Sequence, residues 1–140
     1  MVQTAPKKRL PMREGRFVIP ETPREKPYLL ASRCTSCGKY FSSPRVICLN
    51  CRKQTMQTVS LAGKGKIYSY TTVWQQLPGS VVKVPYAIVI VSMPEGCQVH
   101  GVVTEELGKL EVGKEVEVYF EKAAEDKDGN DLFIDKFRVI

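Results

Sequence analysis

Long apolar runs are missing from this 140-residue chain: the longest, residues 87–91, stops far short of the roughly 20 residues that cross a bilayer, so a transmembrane helix is excluded. The first 16 residues are basic with no apolar stretch behind them, and no secretory signal is read there. Histidine occurs once, at His100, and no serine or cysteine motif accompanies it as in a catalytic triad. Lys64, Gly65 and Lys66 lack the rest of a phosphate loop and read as a hinge. Glu105 and Glu106 are adjacent, which points them apart on any regular element, so they read as solvated surface. The chain is also too short for a TIM barrel or a full dinucleotide-binding enzyme. These absences leave a soluble, cytoplasmic protein, whose five cysteines stay reduced and suit metal ligation better than disulfides.

Charge is present but uneven. The chain carries 21 Lys+Arg against 15 Asp+Glu, a formal +6. Residues 1–60 hold 12 basic and 3 acidic side chains, residues 61–140 hold 9 and 12, so the basic character belongs to the N-terminal part. A hydrophobic content of 43% is just under the usual globular range and excludes a disordered chain. The length allows one domain or two very small ones.

Three segments differ in character. Residues 1–27 contain five of the nine prolines, which block ladders and helix interiors, and predict an extended arm with a short helical turn near residues 23–26. Either this arm is a partly disordered tail, or it packs on a partner through Phe17, Val18 and Ile19. Residues 28–61 carry four cysteines and little else that makes a core. From residue 62 to residue 140, β-branched and aromatic runs alternate with turn residues, predicting strands over 65–74, 85–92, 97–104, 115–121 and 131–139.

Alternation in the first of these runs sets Ile67, Ser69, Thr71 and Val73 on one face and Tyr68, Tyr70, Thr72 and Trp74 on the other. Val116, Val118 and Phe120 point inward between outward glutamates, and residues 86–91 are apolar on both faces, as in a central strand. Residues 104–110 fit one helical turn, and residues 128–131 a tight turn. Five strands with a short helix between the third and fourth follow the plan of an OB-fold barrel; an SH3-like barrel has a similar pattern. The predicted class is therefore mainly β.

Cys34, Cys37, Cys48 and Cys51 form two C-x2-C knuckles with ten residues between them. Two-residue spacing turns both thiolates of a knuckle toward one ion, and two knuckles complete a tetrahedron of sulfurs. Gly38 supplies the positive-φ turn such a knuckle needs. The pattern points to a structural Zn²⁺, with a rubredoxin-like iron site, disulfides or a lost site as the alternatives. About 30 residues bury too little apolar surface to fold alone, and structural zinc supplies on the order of 10–16 kcal/mol. Four protein ligands leave no position for a catalytic water. Phe41, Pro44, Val46 and Ile47 are expected to cap the site, and Cys97, inside a strand pattern, to act as a small buried hydrophobe.

Taken together, the arm, the C-x2-C-G ribbon with Pro44 and Arg45 before its second knuckle, the run from Gly63 to Val73, Val84-Pro85-Tyr86 and residues 110–116 closely resemble the zinc-ribbon/OB-fold proteins of acyl-CoA metabolism, formerly a domain of unknown function. The resemblance covers about residues 21–140 and implies a non-catalytic subunit of a thiolase-fold enzyme: a thiolase, a hydroxymethylglutaryl-CoA synthase or an aldolase. It implies that ribbon and arm dock on the catalytic partner, that the OB-fold lies near CoA, and that Cys34, Cys37, Cys48 and Cys51 hold zinc. Arg52 departs from the family pattern, which commonly has glycine after the last cysteine.

CoA carries a 3′-phosphate and a pyrophosphate, so Arg33, Lys39, Arg45, Arg52 and Lys53 are candidates to hold its nucleotide end. Solvation, or an acidic partner, would equally account for these charges. Tyr68, Tyr70 and Trp74 are candidates to stack on adenine or line a pantetheine channel, with core packing as the alternative role. A single-stranded nucleic-acid binder is the rival class, supported by pI about 9.1 and opposed by the net acidic C-terminal half. A free-standing enzyme finds no acid, base or nucleophile set in the sequence, and an electron carrier on an iron-bound ribbon would show a visible absorption band. Four thiolates on Zn²⁺ would bring the formal +6 to about +4.

Overall fold

The structure, a computed structural model, describes residues 8–12, 15–20 and 25–140. Among these residues ten strands follow in order: β1 (Arg9–Pro11), β2 (Phe17–Val18), β3 (Tyr28–Cys34), β4 (Tyr40–Ser42), β5 (Met56–Ser60), β6 (Lys64–Val73), β7 (Tyr86–Ser92), β8 (Gln98–Val103), β9 (Glu115–Glu125) and β10 (Asp131–Val139). One 3-10 turn, Leu107–Lys109, stands between β8 and β9. The class is mainly β, and the five predicted C-terminal strands are all present, with the short helix in its expected place. Among the described residues no helix is long and apolar enough to cross a membrane.

Two sheets result. The larger runs β1-β10-β9-β6-β7-β8, and the smaller joins β2, β4 and β5 to β3. β7 sits between β6 and β8 and buries Ala87, Val89 and Val91 completely, but its other face is only partly covered, with Ile88 39% exposed. β9 and β10 pair antiparallel, joined by a turn in which Asp126 accepts from the backbone N–H of Asp128 and Asn130 and from the Asn130 side chain. The larger sheet curls until β8 lies against β10. There Gly101 leaves room for a ring: a Cβ would sit 2.3 Å from Phe137 Cδ2. No ladder joins β8 to β10 among the described residues, so side chains bridge this junction where a closed barrel was expected.

The predicted alternation in β6 breaks at one point. Ile67 pairs with Val91 and Ser69 with Ile90, a register shift that sets these two residues of β6 against neighbours on β7. Successive residues of β7 face opposite ways, so the bulge puts Ile67 and Ser69 on opposite faces. Ile67 joins the core, 2% exposed.

In the arm, residues 1–7, 13–14 and 21–24 lie outside the described residues, so the expected partly disordered tail is judged only on the rest. Its described residues make strands on the chain itself, β1 parallel to β10 and β2 antiparallel to β3. Phe17 is 2% exposed, with its ring 4.8 Å from that of Phe120. Arg16 then ties the sheet junction: its Nε donates to both carboxylate oxygens of Asp135 on β10 at 2.9 Å, and its Nη2 donates to the His100 carbonyl on β8. Phe17 is thus buried within the chain, with Ile19 partly buried against the same core, because the ribbon and the larger sheet offer a shared seam. That seam is one continuous core, in which Leu29 and Ala31 of β3 and Leu61 meet Ile67, Val89, Val116 and Phe137. The expected helical turn near residues 23–26 falls partly outside the described residues.

Candidate metal centre

The two cysteine knuckles repeat one backbone arrangement. In the first, Cys34 N–H donates to Lys39 O at 2.9 Å, Gly38 N–H to Cys34 O at 2.8 Å and Cys37 N–H to Cys34 Sγ at 3.4 Å. In the second, Cys48 N–H donates to Lys53 O at 3.0 Å, Arg52 N–H to Cys48 O at 2.8 Å and Cys51 N–H to Cys48 Sγ at 3.5 Å. Each turn needs a left-handed residue just after its second cysteine: Gly38 at φ 79° and Arg52 at φ 60°. Arg52 thus adopts in the second knuckle the left-handed backbone that glycine takes in the first. Thr55, between the second knuckle and β5, locks the two together, since its carbonyl accepts from Thr35 N–H at 2.9 Å and its hydroxyl lies 3.1 Å from Cys34 Sγ.

All four sulfurs lie within 4.8 Å of one another, with Cys34–Cys51 and Cys37–Cys48 both at 3.6 Å. A tetrahedron with metal–sulfur bonds of about 2.3 Å has edges of about 3.8 Å, so the cluster is of the size a four-thiolate metal needs. The four cysteines form no disulfide, and among the described residues no carboxylate or imidazole belongs to the cluster. Donor set and dimensions therefore fit Zn²⁺.

The surroundings are arranged for thiolates. The Thr55 hydroxyl, then the Cys37 backbone N–H, holds Cys34 down to about 5. The Lys39 backbone N–H, then the Asn50 side chain, lowers Cys37. At Cys51 the Lys53 backbone N–H pulls the same way, but burial and the neighbouring Cys34 and Cys48 outweigh it and push the thiol up to about 11. A cation among the sulfurs would relieve that mutual repulsion. Thr55 and Asn50 were not anticipated from the sequence, because spacing marks the ligands and says nothing of the donors around them.

Of the residues expected to cap the cluster, Phe41 on β4 is half-buried and the other three are exposed. Val46 and Ile47 are 74% and 49% exposed, Leu49 is 62% exposed, and Pro44 is exposed as well. Cys34, at the end of β3, and Cys48 are nonetheless fully buried. The basic candidates Arg33, Lys39, Arg45, Arg52 and Lys53 are all exposed on the ribbon. Arg33 lies over the Tyr40 ring and Arg45 over the Phe41 ring, each at 5.9 Å, and Lys53 Nζ reaches Ser36 Oγ at 3.4 Å. Tyr68, Tyr70 and Trp74 are 59%, 42% and 74% exposed, so core packing does not account for them. No hydrogen bond or ring contact joins these aromatics to the basic set among the described residues. Cys97 is buried, and that burial, then Glu95, pushes its thiol up. His100 is exposed on β8.

Fold and site together define a rubredoxin-like zinc ribbon leading into an OB-fold. Residues 23–57 match the family described as the ChsH2 rubredoxin-like zinc ribbon domain, and residues 58–121 the ChsH2 C-terminal OB-fold domain. The chain belongs to the DUF35 family: it is 32% identical to the DUF35 domain-containing scaffold protein of Methanocaldococcus jannaschii over 75% of this chain and 76% of that protein. The benzoylsuccinyl-CoA thiolase subunit BbsA of Thauera aromatica is 28% identical over 81% of this chain and 78% of its own. A chain of the solved Ltp2-ChsH2(DUF35) aldolase superposes with a TM-score of 0.65 and 27% identity, over 80% of this chain and 84% of that one.

Proposed function

We propose that this protein is a non-catalytic accessory subunit of a thiolase-fold acyl-CoA enzyme, of thiolase, hydroxymethylglutaryl-CoA synthase or aldolase type. It docks on the catalytic partner in the cytoplasm and helps hold CoA or acyl-CoA. The observation that carries this reading is the likeness, over most of both chains, to a chain of the Ltp2-ChsH2(DUF35) aldolase. The relation to a benzoylsuccinyl-CoA thiolase subunit supports it from a second enzyme class. Under this reading the arm (1–27), ribbon (28–61) and OB-fold (62–140) are its three parts.

Cys34, Cys37, Cys48 and Cys51 hold a structural Zn²⁺. When bound, the metal supplies cross-linking energy to a small ribbon and no open coordination site. The residues around it do the rest: Thr55, Asn50 and the knuckle N–H groups orient and stabilise the thiolates. Arg33, Lys39, Arg45, Arg52 and Lys53, none in an ion pair among the described residues, offer cations to the phosphates of CoA, and Tyr68, Tyr70 and Trp74 offer exposed rings for adenine or the pantetheine arm.

The test is co-purification of the full chain with the proteins encoded beside it, followed by mass spectrometry, and then titration of CoA into the chain and into the complex. A thiolase-fold protein in the pulldown and CoA heat in the complex are expected. A chain that captures no such protein, and binds single-stranded oligonucleotides with strong salt dependence instead, would replace this reading with the nucleic-acid one.

A further inference from the structure

Solvent does not reach the four cysteines equally. Cys34 and Cys48 are fully buried, Cys51 is half-buried, and Cys37 is exposed. Each buried sulfur has a more accessible one close by on the other knuckle: Cys48 lies 3.6 Å from Cys37, and Cys34 lies 3.6 Å from Cys51. The sulfur of Cys34 is further occupied by the Thr55 hydroxyl at 3.1 Å and the Cys37 N–H at 3.4 Å. The backbone holds the two knuckles in this register. Thr55 O accepts from the Thr35 N–H at 2.9 Å and from its hydroxyl at 3.0 Å. The fully buried Ser32 donates its hydroxyl to Ser43 O at 2.9 Å and accepts Arg45 N–H at 2.7 Å, which pins the chain leading into the second knuckle.

Oxidation of a cysteine follows thiolate character and access, and it goes on to a disulfide where a second sulfur stands beside the first. A metal with four sulfur ligands keeps all of them as thiolates, so access decides among them. Cys37 alone combines full exposure with a neighbour across the knuckles. A disulfide bond is about 2.05 Å long, so Cys37 and Cys48 need to close by roughly 1.5 Å.

We propose that Cys37 is an oxidation-sensitive modification site with Cys48 as its resolving partner, and that a hydroperoxide converts the metal centre into a Cys37–Cys48 disulfide with release of zinc. With hydrogen peroxide as oxidant, the Cys37 sulfur attacks one peroxide oxygen, the O–O bond breaks, and hydroxide leaves with the bonding pair, giving a sulfenic acid. Cys48 then attacks the Cys37 sulfur, the S–O bond breaks, and a second hydroxide leaves. Two thiolates lose two electrons in all, one peroxide becomes two hydroxides, and the zinc, left with Cys34 and Cys51, departs as Zn²⁺. A thiol reductant reverses the step by exchange through the exposed Cys37 sulfur. The inference rests on the zinc reading of the cluster and is independent of the accessory-subunit reading.

The experiment titrates the full zinc-loaded chain with hydrogen peroxide, following free zinc with a chromophoric chelator and disulfides by mass spectrometry of non-reduced peptides. Release of about one zinc per chain is expected, with Cys37–Cys48 as the first disulfide and zinc binding restored by a thiol reductant and added Zn²⁺. Cys37→His, which leaves a three-cysteine, one-histidine ligand set, is expected to hold zinc and to release it about tenfold or more slowly under peroxide. Cys97→Ser should release zinc as the wild type does, since Cys97 is buried and lies outside the cluster. A first disulfide between Cys34 and Cys51, or within one knuckle, overturns the inference while the zinc reading stands. So does a Cys37→His chain that releases zinc as fast as wild type, or zinc that stays bound under peroxide sufficient to oxidise the chelated chain. Should Cys37→His bind no zinc, the order of disulfides in the wild type decides. A chain isolated with no zinc and unable to take it up removes the zinc reading, and this inference with it.

Discussion

Arg52 does in the second knuckle what Gly38 does in the first, and that substitution can be read energetically. A left-handed backbone costs an L-residue about 1–2 kcal/mol that glycine avoids. Arg52→Gly should therefore be neutral or raise the ribbon's stability by up to about 1 kcal/mol, and Arg52→Val, β-branched at φ 60°, should lower it; chemical denaturation of both zinc-loaded variants checks the order. Gly101 is constrained for another reason. A methyl there meets the Phe137 ring, so Gly101→Ala should cost about 1–3 kcal/mol or more, with Phe137→Leu in the same chain restoring part of the loss. The four cysteines were legible from spacing alone. Thr55, Asn50 and Ser32 were not, because a hydroxyl or amide within reach of a sulfur or a loop carbonyl is a property of the folded chain.

The strands of the C-terminal half were legible because each is long enough to show its period and is punctuated by Gly, Asp or Asn. The arm strands β1 and β2 were not, since three and two residues carry no period and prolines argue against ladders. The β6 bulge escaped for a related reason: alternation read along one strand cannot see a register shift that belongs to a pair. The β9–β10 turn leads to a pH effect. The Asn130 side chain, followed by the Asn130 backbone N–H, lowers the Asp126 carboxyl below its usual range. A depressed carboxyl stabilises the fold above its unfolded value of about 3.9 and loses that contribution as pH falls through the lower folded value. Asp126→Ala should melt below wild type at pH 7, and the gap should narrow as the pH falls from about 4 toward 2, which thermal unfolding across that range would reveal.

For the whole molecule, the division of charge has a structural counterpart. The described ion pairs involve the carboxylates of the C-terminal half, while among the described residues none joins a basic side chain of the ribbon to a carboxylate. Ribbon and OB-fold share one core through Leu29, Ala31 and Leu61, which the cysteine-rich composition of residues 28–61 did not suggest. Loss of the metal should consequently reach beyond the ribbon. Chelation of the full chain at pH 7 is expected to release about one zinc, to expose Cys34 and Cys48 to thiol reagents, and to lower the melting temperature of the remainder. A chain that keeps its fold and thiol protection after chelation would contradict a structural metal.

The accessory-subunit claim is tested most directly by reconstitution. Turnover of acyl-CoA is measured for the full zinc-loaded chain alone, for the co-purifying thiolase-fold protein alone, and for the two mixed at stoichiometric amounts. The account expects no turnover from this chain by itself, and a complex whose activity or CoA affinity exceeds that of the catalytic protein alone. Turnover by this chain alone, or a mixture indistinguishable from the catalytic protein without it, would contradict the account.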